Sequence, residues 1–228
     1  MFVAGASRGV GRLCIDKLLA KGSEVVAFVR DPAVAQELNA MEGVTAIIGD
    51  AFDQKSVENA MDGCDAAITT LGGATTDESG VTTRVDYTGN NNVIESAGIL
   101  GVTRIVLVTS IGCGSSKEAA PPSVFEVLKD VLAAKERAEN VLIKYYTNSN
   151  WTIIRPGGLR SEPGTGRAIL TEDNLAIGSI HREDVAQLVV EALDSAKAER
   201  KILSAIDPSI TSAVAEGRET SFQEFVLA

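Results

Sequence analysis

Near its N-terminus the chain runs from a short apolar stretch, Met1-Phe2-Val3-Ala4, into Gly5-Ala6-Ser7-Arg8-Gly9-Val10-Gly11. The three glycines sit where side chains would obstruct. Gly5 permits a tight strand-to-helix turn. Gly9 lacks the Cβ that would hold a diphosphate away from the backbone. Gly11 lets helix and strand pack closely. The sequence that follows reads as an amphipathic helix with Leu13, Leu18 and Leu19 on its apolar face. The start of such a helix offers unpaired N–H groups and a partial positive charge to an anion. A glycine-rich stretch alone is also an ordinary turn. Strand before and helix after turn it into the signature of a dinucleotide site, with the backbone of Gly5, Ser7, Arg8, Gly9, Val10 and Gly11 around the diphosphate.

The rest of the chain repeats that alternation. Apolar runs at 24–29, 44–48, 66–71, 104–109, 151–154 and 201–206 read as strands. Helical patterns lie between them, at about 32–40, 53–61 and 83–97, then after Pro121-Pro122, and at about 182–195. Asp31-Pro32 supplies a cap and a first helical residue. The strands are continuously apolar, as in parallel sheets covered on both sides. The expected fold is α/β: a single-domain, doubly wound parallel sheet with helices on both faces, spanning residues 1–228. The Gly/Pro-rich segment 156–180 and the C-terminal tail, with Phe222, Phe225, Val226 and Leu227, read as elaborations on the substrate side.

Composition narrows the partners. A net charge of −10 leaves no basic surplus for nucleic acid. No apolar run reaches the roughly 18 residues of a membrane span. Cys14, Cys64 and Cys113 lie far apart and read as reduced thiols of an intracellular compartment. With His181 the single histidine, no metal site is expected. No signal peptide precedes the first strand; its short start leaves open a removed upstream targeting segment.

Ligands of such sheets bind beyond the carboxyl ends of the strands. Arg30 closes the second strand, where an acidic residue would bind both ribose hydroxyls of NAD and an arginine suits the 2′-phosphate of NADP. Arg8 offers a second guanidinium. Two solvated surface arginines are the plainer alternative, and Asp31 stands close enough to compete for a ribose. NADP is preferred over NAD. Asp50-Ala51 after the third strand can meet adenine, or close a turn. Leu71-Gly72-Gly73 leaves the backbone free to approach ribose and diphosphate. A hydroxyl from Thr109 or Ser110 would face nicotinamide or substrate. Lys135 would bind nicotinamide-ribose hydroxyls, or be a solvated helix residue. Pro156-Gly157-Gly158 permits close approach to nicotinamide. His181-Arg182-Glu183-Asp184 reads as mainly structural.

These stretches, with Val85-Asp86-Tyr87-Thr88-Gly89, Lys135-Glu136-Arg137-Ala138-Glu139 and Trp151 to Gly158, resemble the short-chain dehydrogenase/reductase superfamily in its atypical branch. The nearest subgroup holds biliverdin IXβ/flavin reductase-like proteins and the NADP-binding domain of a chloroplast import-associated protein. The resemblance implies a Rossmann fold, and Ser110 and Lys135 as catalytic residues. Its usual tyrosine, four positions before the lysine, is Val131 here, which cannot transfer a proton. The implied activity is NADP-dependent hydride transfer to a small conjugated acceptor that takes its proton from solvent: a flavin, a bilin or a quinone-like molecule. The alternative is a non-catalytic NADP(H)-binding protein that senses redox state or serves as a scaffold for a protein partner. The compartment implied is cytoplasm or plastid stroma.

Overall fold

A computed structural model describes residues 1–76, 79–80, 82–210 and 222–227. The chain forms β1 (Phe2–Ala4), α1 (Gly9–Ala20), β2 (Val25–Val29), α2 (Pro32–Asn39), β3 (Val44–Ile48), α3 (Gln54–Met61) and β4 (Ala66–Thr69). A short hairpin follows, β5 (Ala74–Thr76) with β6 (Thr82–Arg84), then α4 (Thr88–Leu100) and β7 (Arg104–Val108). Next come α5 (Pro122–Tyr145), β8 (Asn150–Pro156), β9 (Gly158–Arg160), β10 (Ile169–Thr171), β11 (Ser179–His181), α6 (Arg182–Asp194) and β12 (Lys201–Ile206).

Eight strands share one sheet in the order β10-β12-β8-β7-β4-β1-β2-β3. Every neighbouring pair is parallel except β10 with β12. The order reverses at β1, whose two neighbours are β2 and β4, and the crevice at such a reversal is where this architecture binds ligands.

Alternate residues along each strand feed two cores. Val3, Ala27, Ile68 and Val106 pack under α1, α2 and α6. Phe2, Phe28, Ala67 and Ile105 pack under α3, α4 and α5. Both faces of the sheet are therefore covered, the doubly wound single domain that the apolar runs predict.

Three local differences have physical causes. The helix predicted at 83–97 begins at Thr88, because the β-branched Thr82 and Thr83 pair with β5. The 156–180 segment holds three short strands, and β10 adds an antiparallel edge to the sheet. Of the tail, Phe225 and Leu227 pack on the core, Phe225 N–H donating to Leu170 O at 2.7 Å and Ser195 Oγ donating to Leu227 O at 2.6 Å. Among the described residues no helix is long and apolar enough to cross a membrane.

Candidate functional site

A cavity of about 710 Å³ opens at the carboxyl ends of β1 and β4. At its floor is the glycine loop. Gly5 has φ +84, and a Cβ there would lie 2.5 Å from Thr70 Oγ1. A Cβ on Gly11 would collide with Gly5 O, so Gly11 packs helix against loop and is not among the lining residues. Gly9, at φ +60, faces open space, its nearest neighbours being Arg182 Cδ and Nε at 3.8 Å from a Cβ position. Arg8 occupies the N-cap of α1 without a side-chain cap, and the first turn carries no acidic residue. The caps of α2 and α3 differ: Asp31 and Asp53 accept from backbone N–H groups there. The N-terminus of α1 thus presents its donors and dipole to the cavity.

At one end, Arg8 and Arg30 line the cavity. Asp31 does not, because its Oδ1 accepts from Ala33 N at 2.8 Å. Asp50 closes a turn by accepting from Phe52 N at 3.0 Å and still lines the wall with Ala51. Leu71 and Gly72 line the middle.

At the other end stand Thr109, Ser110, Lys135 and Pro156, beside the apolar Leu128, Val131 and Leu159. The Thr109 hydroxyl turns inward, against expectation, and donates to Glu139 Oε1 at 2.6 Å. Glu139 in turn pairs with buried Arg155. Ser110 Oγ donates to Ile111 O at 2.9 Å, and the hydroxyl can still accept from a ligand. Lys135 Nζ lies 3.1 Å from Asp86 Oδ1, whose second oxygen accepts from Gly73 N at 2.9 Å. Asp86 is buried and so anchors both the lysine and the loop after β4. Asn90 supports the same loop by donating to Leu71 O at 3.2 Å.

Gly73, Gly157 and Gly158 are absent from the lining. A Cβ on Gly157 would meet Gly178 O, so this glycine serves close backbone packing. Residues that sequence reasoning missed include Phe28, Leu128, Ser161 and Arg182. Burial pushes the Cys113 thiol up to about 12, so no thiolate forms there at neutral pH. His181, Asp184 and Asp207 place ligand-type atoms within 4.8 Å of one another. Their carboxylates already accept from Thr165 N, Gly166 N and Ser209 N, which makes the cluster a hydrogen-bonded staple.

Comparison with known proteins agrees with this architecture. The family model described as NAD(P)H-binding matches residues 5–196. An uncharacterised chloroplastic protein of Arabidopsis thaliana is 33% identical over 90% of this chain and 76% of its own length. Sanguinarine reductase of Eschscholzia californica is 30% identical over 88% of this chain and 86% of its own. The structure of ChuY, an anaerobillin reductase from Escherichia coli O157:H7, superposes with a TM-score of 0.83 at 30% identity, covering 93% of this chain and 98% of that one. A glycine cradle at the β1/β4 reversal, an uncapped helix start above it and these matches lead to one assignment: the chain belongs to the NAD(P)H-binding family, on a Rossmann fold.

Proposed function

We propose that the protein is an NADP-dependent reductase that passes hydride to a small conjugated acceptor such as a flavin, a bilin or a quinone-like molecule. The observation that carries this reading is the asymmetry of this cavity. Two arginines stand at one end, and an apolar wall of Leu128, Val131 and Leu159 faces Ser110 at the other.

The residues fit the dinucleotide. Gly5, Ser7, Gly9 and Val10 would cradle its diphosphate, with Arg8 and Arg30 on a 2′-phosphate. Asp31, the residue that would compete for a ribose, is committed to its helix cap. Asp50 and Ala51 would border adenine, and Leu71 and Gly72 the ribose. Lys135, held by Asp86, would donate to the second ribose. Thr109, Pro156, Gly157 and Gly158 belong to the segments around the nicotinamide. Reduced NADP supplies a hydride when bound. Ser110 orients the acceptor, and Val131 leaves the proton to water, which suits an acceptor that needs little acid assistance. Two similar proteins are named reductases, of anaerobillin and of sanguinarine, and the same reaction class is inferred here. The compartment is proposed as plastid stroma or cytoplasm, the first from the chloroplastic relative.

The test is NADPH oxidation by the full chain with flavins, linear tetrapyrroles and quinones. Turnover with at least one class is expected. Arg8→Ala with Arg30→Ala should weaken NADPH binding about tenfold to a hundredfold, as for charged hydrogen bonds, and leave NADH binding unchanged. Stoichiometric NADPH binding without turnover on the whole panel would leave the non-catalytic reading in its place.

A further inference from the structure

The first turn of α6 grips the preceding chain residue by residue. Arg182 Nη1 donates to Ser161 Oγ at 2.8 Å. Glu183 Oε2 accepts from Gly164 N at 3.0 Å. Asp184 accepts from Thr165 N at 2.9 Å and from Gly166 N at 3.0 Å. His181 Nε2 faces Glu162 at 3.8 Å. Residues 161–166 are thereby strapped across the start of α6. The same turn is tied to the helix after the glycine loop by Lys17 Nζ and Glu183 Oε1, 3.4 Å apart.

Arg182 differs from Glu183 and Asp184, because it also lines the cavity. Its Cδ and Nε lie 3.8 Å from the Cβ position of Gly9. Gly9 is where the loop opens to the cavity, at the start of α1. The stem of Arg182 therefore lies across the mouth of that cradle. A guanidinium carries five donors in a planar fork, and Ser161 engages one of its nitrogens. The neighbouring carboxylates are committed elsewhere, Glu183 to Gly164 N and Lys17, Asp184 to Thr165 N and Gly166 N. No acidic residue of the first turn of α1 competes for it.

We infer that Arg182 is the second jaw of a diphosphate clamp. The N–H groups at the start of α1 take one side of the ligand's diphosphate, and the guanidinium takes the other. This rests on the dinucleotide reading above and assigns a separate task within it. Arg8 and Arg30 distinguish the 2′-phosphate, whereas Arg182 binds the part that NADPH and NADH share.

Calorimetric titration of the full chain tests the assignment, with NADPH, NADH, ADP-ribose and 2′-AMP as probes. ADP-ribose keeps the diphosphate and lacks nicotinamide; 2′-AMP lacks the diphosphate. Arg182→Gln should weaken NADPH, NADH and ADP-ribose by a common factor, about tenfold to a hundredfold, and leave 2′-AMP unchanged. Arg182→Lys should recover part of the loss, as a point charge without the fork. Glu183→Gln weakens the strap at a side chain outside the cavity lining and should leave all four affinities near wild type. Wild-type affinity of Arg182→Gln for ADP-ribose would overturn the clamp. So would an equal loss in Glu183→Gln, which would assign the effect to the strap. Failure of the wild-type chain to bind NADPH would instead sink the dinucleotide reading beneath it.

Discussion

Glu139 and Arg155 meet in the interior as a two-pronged pair, Nη2 to Oε2 at 2.7 Å and Nε to Oε1 at 3.0 Å. Both side chains are 2% exposed. The pair ties three elements together behind the Thr109-Ser110 end of the cavity. Glu139 comes from α5, Arg155 from β8, and the Thr109 hydroxyl at the end of β7 donates to the same carboxylate. Arg155 Nη1 also reaches Ser115 Oγ at 2.9 Å, in the 3-10 turn that follows Ser110. Ser110 thus rests on a loop fixed from below by one charge pair. Taking both ions out of water is costly, so the pair is better evidence for geometry than for net stability. Its asymmetry is testable. Arg155→Met leaves Glu139 buried without a counter-charge and should destabilise the fold by about 3–5 kcal/mol in urea denaturation. The double variant with Glu139→Leu should recover most of that loss while loosening the Thr109-Ser110 loop. A single variant as stable as wild type would mean that water reaches Glu139.

Among elements, the strap at 161–166 is held largely by carboxylates. The Glu183 carboxyl is held below its ordinary value by the hydrogen bond from Gly164 N and then by Lys17. Burial pushes Asp207 up, but hydrogen bonds from Ser209 and Thr165 outweigh it, and the group ends below its ordinary value. Glu162 is also lowered, by backbone hydrogen bonding and by His181. Groups lowered on folding stabilise the folded state above their unfolded values, about 4.3 for Glu and 3.9 for Asp, and lose that contribution as pH falls through the folded values. The strap should therefore release in acid, from about pH 4 downward, before the sheet unfolds. Hydrogen exchange at Gly164, corrected for intrinsic rates, should show protection falling there first; loss in step with β1 and β4 would mean global unfolding. Glu183→Gln should flatten the pH dependence at Gly164. Very little of this element was legible in the sequence. The parallel strands were, because continuous apolar runs can be buried only between two helical layers. The α2 start was, because Asp31-Pro32 is a local cap signal. The three-residue strands β5, β6, β9, β10 and β11 were not, because so few residues carry no period and their pairing is decided by distant neighbours. The inward turn of Thr109 was hidden for the same reason, since Glu139 lies thirty residues on. The glycines of 157 and 158 looked like lining because sequence shows only the missing Cβ, not which neighbour occupies the space.

At the scale of the whole molecule, the cavity is where the two helical layers communicate through the sheet. Its wall draws on α1 and α6, which cover one face, and on α5, which covers the other. Lys135 reaches it from α5 and Arg182 from α6, so a dinucleotide lying across the strand ends would bridge helices that cover opposite faces of the sheet. Such a ligand binds the folded chain alone, so it must raise the apparent stability by RT ln(1 + [L]/Kd), about 2.7 kcal/mol at a hundredfold excess over Kd. For a domain of 150–250 residues that is roughly a 5–11 °C rise in Tm. Thermal unfolding with NADPH should show such a rise, and at equal concentration NADH should give a smaller one, because it lacks the group that Arg8 and Arg30 are proposed to bind. Gly9→Ala separates the cradle from the fold. A Cβ there meets nothing closer than 3.8 Å, so packing is not disturbed. The cost in the free protein is backbone strain at φ +60, about 1–2 kcal/mol or a few degrees of Tm. The same methyl group would stand between the diphosphate and the N–H groups at the start of α1. The variant should therefore fold with a slightly lower Tm and lose most of the NADPH-dependent rise. A Gly9→Ala protein that keeps the full rise would show that the diphosphate does not lie in the glycine cradle.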